Sequence, residues 1–401
     1  MKIGIIKEGK VPVDHRVPLT PEQAKEVMEK FPEVKVVVQS SDVRVFRDEE
    51  YSELGVEVVN SLEDCEVIFG VKEVPIPDLL ENKTFFFFSH TIKEQEYNRT
   101  LLRAIMAKKI RMVDYEPLTD SHGTRVIAFG RWAGIVGAYN GLLTYGRRYN
   151  LFNIRPANEC YDLEDLKTEY SKVQLPKMKI AVTGGGRVAI GAMEVLHGIG
   201  IRKVTPAEFI DERFDEPVFT QLNSRDYNKS TTRNFNRSEF HNHPENYQGD
   251  FLKYARTTDL LIACAYWNPA APVLFTKEDA MNSDFGIRVV ADITCDIQGS
   301  IPSTMRPTTI SDPVYDYNPS EDIEEPALTN EANITVMAVD NLPCELPRDA
   351  STSFGRELID NVLPHLLGDD SEEVIRRATI TENGELTEAY QYLRGYVEAD
   401  H

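Results

Sequence analysis

The chain has 401 residues, with 41% apolar side chains and 65 acidic against 44 basic ones, a formal charge of −21. At about 150 residues per domain this is enough for two or three domains with cores of their own, and a small disulfide-stapled scaffold is excluded. The acidic balance, with no basic cluster, speaks against nucleic acid as a partner, and no apolar run approaches the roughly eighteen residues that span a bilayer.

The opening MKIGIIKEGK lacks the pattern of a secretion signal, which predicts a cytoplasmic protein without a membrane partner. Over the first 120 residues, short apolar runs alternate with helical stretches: KIGII (2–6), VKVVV (34–38), VIFGV (67–71), TFFFF (84–88) and IRMV (110–113). This is the pattern of an α/β unit with a buried, mostly parallel sheet. Thr20-Pro21-Glu22-Gln23 supplies an N-cap, a proline at the first helical position and a capping-box glutamine, predicting a helix over 21–30. Because parallel sheets carry function at the carboxyl ends of their strands, Lys72-Glu73, Ser89-His90 and Asp114-Tyr115-Glu116 are expected to converge on one edge.

Residues 133–149 read as a helix with Ala133, Gly137 and Gly141 on one slim face, either bridging two α/β regions or simply packing tightly. MKIAV, TGGGRVAIGAMEVLHGIG, LLIACA (260–265), IRVVADI (287–293) and NITVMAV (333–339) then predict a second sheet. The stretch from about 211 to 250 is polar and asparagine-rich, and reads as an inserted surface excursion. Helices are predicted over 354–367 and 385–396. The five cysteines, 65, 160, 264, 295 and 344, form no CxxC and read as reduced thiols, and His241 with His243 reads as surface loop, so no metal site is expected.

Gly184-Gly185-Gly186-Arg187-Val188-Ala189 fits G-x-G-x-x-A between a strand and a helix, the position at which a dinucleotide's pyrophosphate is held. The acid that would grip a ribose hydroxyl is not evident; Glu208 lies just past Thr205-Pro206, where the second strand should end, and NADP is left open beside NAD. In the first domain Lys72 is either a buried base or an exposed strand-end lysine. His90, after four phenylalanines, is either a proton carrier or a satisfied buried histidine, while Arg16 and Arg125 are either carboxylate anchors or surface charges.

Together KEGKVPVDHRVPLTP, VKEVP, FFFFSHTIKEQ, MVDYE and AVDNLPCELPRDAS resemble the alanine dehydrogenase and saccharopine dehydrogenase superfamily along nearly the whole chain. FFSHTIKEQ, VDYEPL, RVIAFGRWAGIVGA and LPCELPRDAS look closer to the NAD-dependent, lysine-forming saccharopine dehydrogenases. The resemblance implies an α/β protein of two Rossmann-type domains with mostly parallel sheets and an interdomain cleft. Residues 1–132, completed by about 341–401, would carry the substrate, and 133–340 the dinucleotide. It implies that Lys72 is the base toward the secondary amine of saccharopine and that His90 handles protons for imine hydrolysis, releasing lysine and 2-oxoglutarate. Arg16 and Arg125 would hold carboxylates, with Lys93, Gln95 and Phe129 in the same pocket and Glu73 and Glu116 tuning the lysine and histidine.

On the cofactor side the motif positions are Gly184, Gly186, Arg187, Ala189, Tyr266, Ile293 and the run Val339, Asp340, Asn341, Leu342. An alanine dehydrogenase-like enzyme using free ammonia, or a nicotinamide-binding regulator without turnover, are the other readings, and a homo-oligomer is left open.

Overall fold

The alternating pattern becomes two separate α/β units, each built on an eight-stranded sheet, in the computed structural model, which describes residues 1–230 and 232–399. The units are Met1–Phe129 with Pro347–His401, and Gly130–Leu346.

In the first unit the predicted runs form β1 (Lys2–Ile5), β2 (Lys35–Gln39), β4 (Val67–Phe69), β5 (Thr84–Phe87) and β6 (Arg111–Asp114), with a short β3 (Glu57–Val59) that the apolar pattern did not announce. All six pair in parallel. The helix after β1 is α1 (Pro21–Lys30); its N-cap Thr20 accepts the Gln23 N–H while Gln23 accepts the Thr20 N–H at 3.0 Å, a complete capping box. Helices α2 (Asp48–Glu53) and α3 (Glu96–Ala107) follow. The apolar face of α3, Leu101, Leu102 and Ile105, packs into one core cluster with Phe85, Phe87, Ile68 and Met112.

The second unit starts with α4 (Gly130–Arg148), then the short α5 (Leu163–Lys167) and the strand-turn-helix of β7 (Lys179–Thr183) and α6 (Arg187–Ile199). The slim face of α4 serves packing: a Cβ at Gly134 would lie 1.9 Å from the Val188 carbonyl oxygen of α6, and one at Gly137 2.4 Å from Ile293. The polar stretch needs correction. After the two-residue β8 (Arg202–Lys203) and α7 (Pro206–Asp211), β9 (Val218–Leu222) lies inside it and pairs in parallel with β7, so the strand beside β7 is 218–222, and the run before Thr205 supplies only the edge strand β8 beyond it. Val218, Phe219 and Leu222 are fully buried there. Only β10 (Asn228–Ser230) and β11 (Tyr247–Gly249) form a two-stranded excursion. His241 lies in a short helix, Arg237–Asn242, and no group of metal-binding side chains occurs among the described residues.

The sheet is completed by β12 (Leu260–Ala263), β13 (Val289–Asp292), β14 (Val314–Asn318), β15 (Ile323–Glu325) and β16 (Ile334–Met337), in the order β15-β14-β16-β13-β12-β7-β9-β8. β14 and β15 are antiparallel additions at one edge.

The chain then returns to the first unit. Where the sequence predicts one helix over 354–367, two form, Pro347–Asn361 and Leu363–Leu367. The helix expected over 385–396 is partly corrected: β17 (Thr379–Glu382) and β18 (Glu385–Leu386) make a hairpin that takes its first residues, and the rest is a 3-10 helix over Glu388–Leu393 that runs into an α-helix over Arg394–Glu398. The turn of the hairpin is Asn383-Gly384, both at positive φ (52° and 90°), the dipeptide that suits a two-residue hairpin. β17 adds antiparallel to β6, giving the order β18-β17-β6-β5-β4-β1-β2-β3. No helix among the described residues is long and apolar enough to cross a membrane.

Candidate functional site

Because β1, β4, β5 and β6 run parallel, their carboxyl ends open at one edge of the first sheet, and each apolar run gives way there to ionisable residues. Lys10 and Glu8 follow β1, Lys72 and Glu73 follow β4, His90 follows β5, and Glu116 follows β6. His90 leaves its strand in the left-handed conformation, φ 54°, and its Nδ1 lies 2.6 Å from Glu73 Oε1. The other oxygen, Oε2, accepts a hydrogen bond from Lys10 Nζ at 2.6 Å. Burial raises the Glu73 carboxyl, but the hydrogen bonds and charges of His90 and Lys10 outweigh it and hold the group down at about 2. A carboxylate only accepts, so Nδ1 carries the proton toward Glu73, leaving Nε2 as the ring nitrogen that can take up or deliver a proton.

Lys72 is half-buried. Its ammonium is pushed down first by desolvation and then by Arg16, and Asp14 and Glu73 only partly restore it. Arg16 is fully buried in a two-point pair with Asp14, Nε to Oδ1 at 3.0 Å and Nη2 to Oδ2 at 2.6 Å, and its guanidinium lies 4.2 Å from the Phe129 ring centroid. Arg125 lies 5.6 Å from the Phe88 ring centroid. Phe88 and Phe129 are 6.1 Å apart, Phe129 stacks on Phe354 at 4.5 Å, and the His90 ring lies nearly parallel to Phe88. Both arginines and the histidine thus stand on one aromatic floor. Glu116 faces Lys93 at 3.5 Å, and the exposed Gln95 accepts a hydrogen bond from Tyr97 Oη.

In the second unit Gly184 has φ +96°, a conformation that disfavours any side chain, and open space lies above Gly186 at the start of α6. Ala189 is buried, letting α6 approach the sheet, while Arg187 is exposed. A glycine cradle at the N-terminus of a thirteen-residue helix fits a dinucleotide pyrophosphate. Tyr266, 86% exposed, follows β12; Ile293 follows β13; Val339 is buried and bridges to Thr308; Asp340 is exposed; Asn341 leads into a short 3-10 turn that begins with the buried Leu342. Glu208 is not at a strand end facing the turn. It closes the capping box of α7, its Oε2 accepting from the Thr205 N–H at 2.8 Å.

The sequence alone does not single out several residues at these edges. Glu8, Lys10 and Asp14 lie in the KEGKVPVDHR run, where only Arg16 had a chemical signal, and it takes the parallel pairing of β1 with β4 to bring them to Lys72 and Glu73. Asn223, Ser224 and Arg225 occupy the end of β9 and were hidden by the misplaced second strand; Asn223 Oδ1 lies 2.7 Å from where a Gly185 Cβ would stand.

Two family models match, described as the alanine dehydrogenase/PNT N-terminal domain, over residues 4–136, and the alanine dehydrogenase/PNT C-terminal domain, over 165–393. The chain belongs to the alanine dehydrogenase/PNT family. It is 30% identical over 430 residues to the mitochondrial alpha-aminoadipic semialdehyde synthase of Mus musculus, covering 95% of this chain and 46% of that one, so the chain spans about half the length of such relatives. It is 27% identical over 371 residues to the NAD(+), L-lysine-forming saccharopine dehydrogenase of Neurospora crassa, with 88% of each chain covered. Among solved structures, an L-alanine dehydrogenase superposes with a TM-score of 0.65 at 17% identity, over 99% of this chain and 100% of that one. A transhydrogenase from Sinorhizobium meliloti superposes with a TM-score of 0.59 at 16% identity, over 96% and 99%. These two likenesses establish the shared two-domain α/β fold.

Proposed function

We propose that the chain is a nicotinamide-dependent oxidoreductase acting on the CH–NH group of an amino acid, interconverting saccharopine with L-lysine and 2-oxoglutarate. The observation that carries this reading is the Lys10–Glu73–His90 chain of 2.6 Å contacts, set at the same sheet edge as a lysine whose ammonium is destabilised. The likeness to lysine-forming saccharopine dehydrogenase supports the choice of substrate. A bound nicotinamide ring supplies the hydride acceptor. Lys72, whose ammonium is destabilised by burial and by Arg16, takes the proton of the substrate's secondary amine, and His90, oriented through Nδ1 by Glu73, moves protons at Nε2 for the water that opens the imine. Arg16 and Arg125 hold carboxylates against the aromatic floor. Gly184, Gly186 and Arg187 would hold the pyrophosphate of the dinucleotide.

The form of the cofactor has its own observation. No acidic residue occupies 223–225 directly after β9; the Asp226 carboxylate reaches back to the strand end, its Oδ2 accepting the Asn223 N–H at 2.7 Å. The residues there are Asn223, Ser224 and Arg225, with Arg225 exposed and only 3.9 Å from Asp226 Oδ1. An arginine and a hydroxyl beside that carboxylate favour a 2′-phosphate, and on this we propose NADP(H) ahead of the NAD that the sequence resemblance implies.

The test is NADH and NADPH oxidation with lysine plus 2-oxoglutarate, beside pyruvate plus ammonia. Oxidation confined to lysine plus 2-oxoglutarate is expected. Activity only with pyruvate and ammonia would transfer the chain to the alanine dehydrogenase reaction, and dinucleotide binding without turnover on either pair would make it a binding protein.

A further inference from the structure

Where β1 and β4 stop pairing, the backbone of the segment that carries Lys72 still needs partners. The last main-chain bond between them runs from the Ile6 N–H to the Phe69 carbonyl, and beyond it a side chain takes over. Glu8 Oε1 accepts the Val71 N–H at 2.7 Å and Oε2 accepts the Lys72 N–H at 3.0 Å. Glu8 is itself buried, 9% exposed. We propose that Glu8 is a positioning residue for Lys72, a two-point carboxyl clamp that fixes the Val71–Lys72 peptide and so sets where the Lys72 amine stands and how readily it gives up its proton. The inference rests on the assignment of Lys72 as the base and adds a residue to it.

The surroundings of Glu8 fit this role better than that of a plain sheet terminator, for which an uncharged acceptor would serve. Asp14 and Arg16 from the loop after β1 act on it with opposite sign, Lys72 lies on the segment it grips, and the Tyr115 hydroxyl at the end of β6, fully buried and without a hydrogen-bond partner, lies within its electrostatic reach. Burial first, and Asp14 second, push the Glu8 carboxyl up to about 8, against the two backbone N–H groups and Arg16, so it changes charge close to neutral pH. When it ionises, it gains acceptor strength toward both N–H groups and adds a negative charge beside Lys72, and both changes favour the ammonium.

Trace acetylation of the whole protein across pH, read by mass spectrometry on the Lys72 peptide against an exposed lysine such as Lys25, measures this without turnover. Glu8→Gln is expected to lower the midpoint of Lys72 labelling by about half a pH unit, as loss of one nearby charge does, and to remove a second inflection near the Glu8 transition. Glu8→Asp, which keeps the charge but is too short for both N–H groups, is expected to move the midpoint less and is the second variant if Gln does not fold. In steady-state assays the loss should appear in kcat, with KM little changed. A Lys72 labelling curve identical to wild type in both variants would overturn the proposal, even if both proteins melt earlier. Absence of lysine-dependent turnover in the wild type would instead count against the proposed reaction and leave the labelling result standing.

Discussion

Nδ1 of His90 stands 2.6 Å from Oε1 of Glu73, while Lys10 holds the opposite oxygen of the same carboxylate at 2.6 Å. One glutamate therefore fixes the ring orientation and keeps a negative charge beside it. Glu73→Gln is expected to lower turnover by about ten- to a hundredfold, the usual cost of losing an orienting partner. It should also flatten acid denaturation. The folded Glu73 carboxyl lies near 2 against an ordinary 4.5, so its contribution to stability is present above about 4.5 and is lost as pH falls toward 2. Urea midpoints from pH 6 down to pH 3 should fall less steeply in the variant.

Lys72→Met and His90→Gln are each expected to reduce kcat for lysine plus 2-oxoglutarate by about 10²- to 10⁴-fold, the range general acid–base groups supply, with the melting temperature little changed. Turnover within a few-fold of wild type in either variant would remove that residue from the acid–base role.

Arg225→Ala should raise KM for NADPH about ten- to a hundredfold and leave NADH nearly unaffected, since a charge-assisted contact with a 2′-phosphate is worth about 1.5–3 kcal/mol. Equal loss with both dinucleotides would show that Arg225 does not read the phosphate.

Gly134→Val places atoms where the Val188 carbonyl oxygen already is, 1.9 Å from an ideal Cβ. Helices α4 and α6 would have to separate, at a cost of about 3 kcal/mol or more. The guanidinium chloride midpoint should drop accordingly, and because α6 carries the glycine turn, dinucleotide affinity should fall with it.

Glu345, 3% exposed, accepts a hydrogen bond from Asn140 Nδ2 at 2.9 Å, and burial pushes its carboxyl up to about 7 despite that bond. Between about 4.5 and 7 the folded protein holds a proton that the unfolded chain has released, so stability falls as pH rises through that window. Glu345→Gln should remove this slope. Chemical denaturation at pH 5 and pH 7.5 should differ less in the variant than in the wild type.

Much of this was legible in one dimension. Thr20 and Gln23 form the capping box that their spacing announces, and the runs at 2–6, 34–38, 67–71, 84–88 and 110–113 all became strands, because an apolar run bounded by polar residues has few other ways to bury itself. β9 was missed: its Thr220 and Gln221 break the apolar signal, and its asparagine-rich surroundings read as surface. The hairpin at Asn383-Gly384 carries a turn signal that the sequence analysis does not use, because the residues after it have helix-like spacing.

Composition, strand periodicity and the glycine turn determined the α/β class, the two sheets and the ends of the strands where chemistry should stand. These are local properties, set by where each short segment can place its apolar atoms. Tertiary structure alone decided which charged groups meet. Glu8 and Lys72 are 64 residues apart in sequence, and Lys10 and Glu73 are 63 apart; parallel pairing of β1 with β4 brings each pair to hydrogen-bonding distance. The same holds for the end of β9, whose place beside β7 is fixed by ladder hydrogen bonds and burial of Phe219, and which no local pattern foretold. Pairing of distant strands is a property of the whole sheet, so the company each ionisable residue keeps, and with it the proton affinity, is set only once the chain has folded.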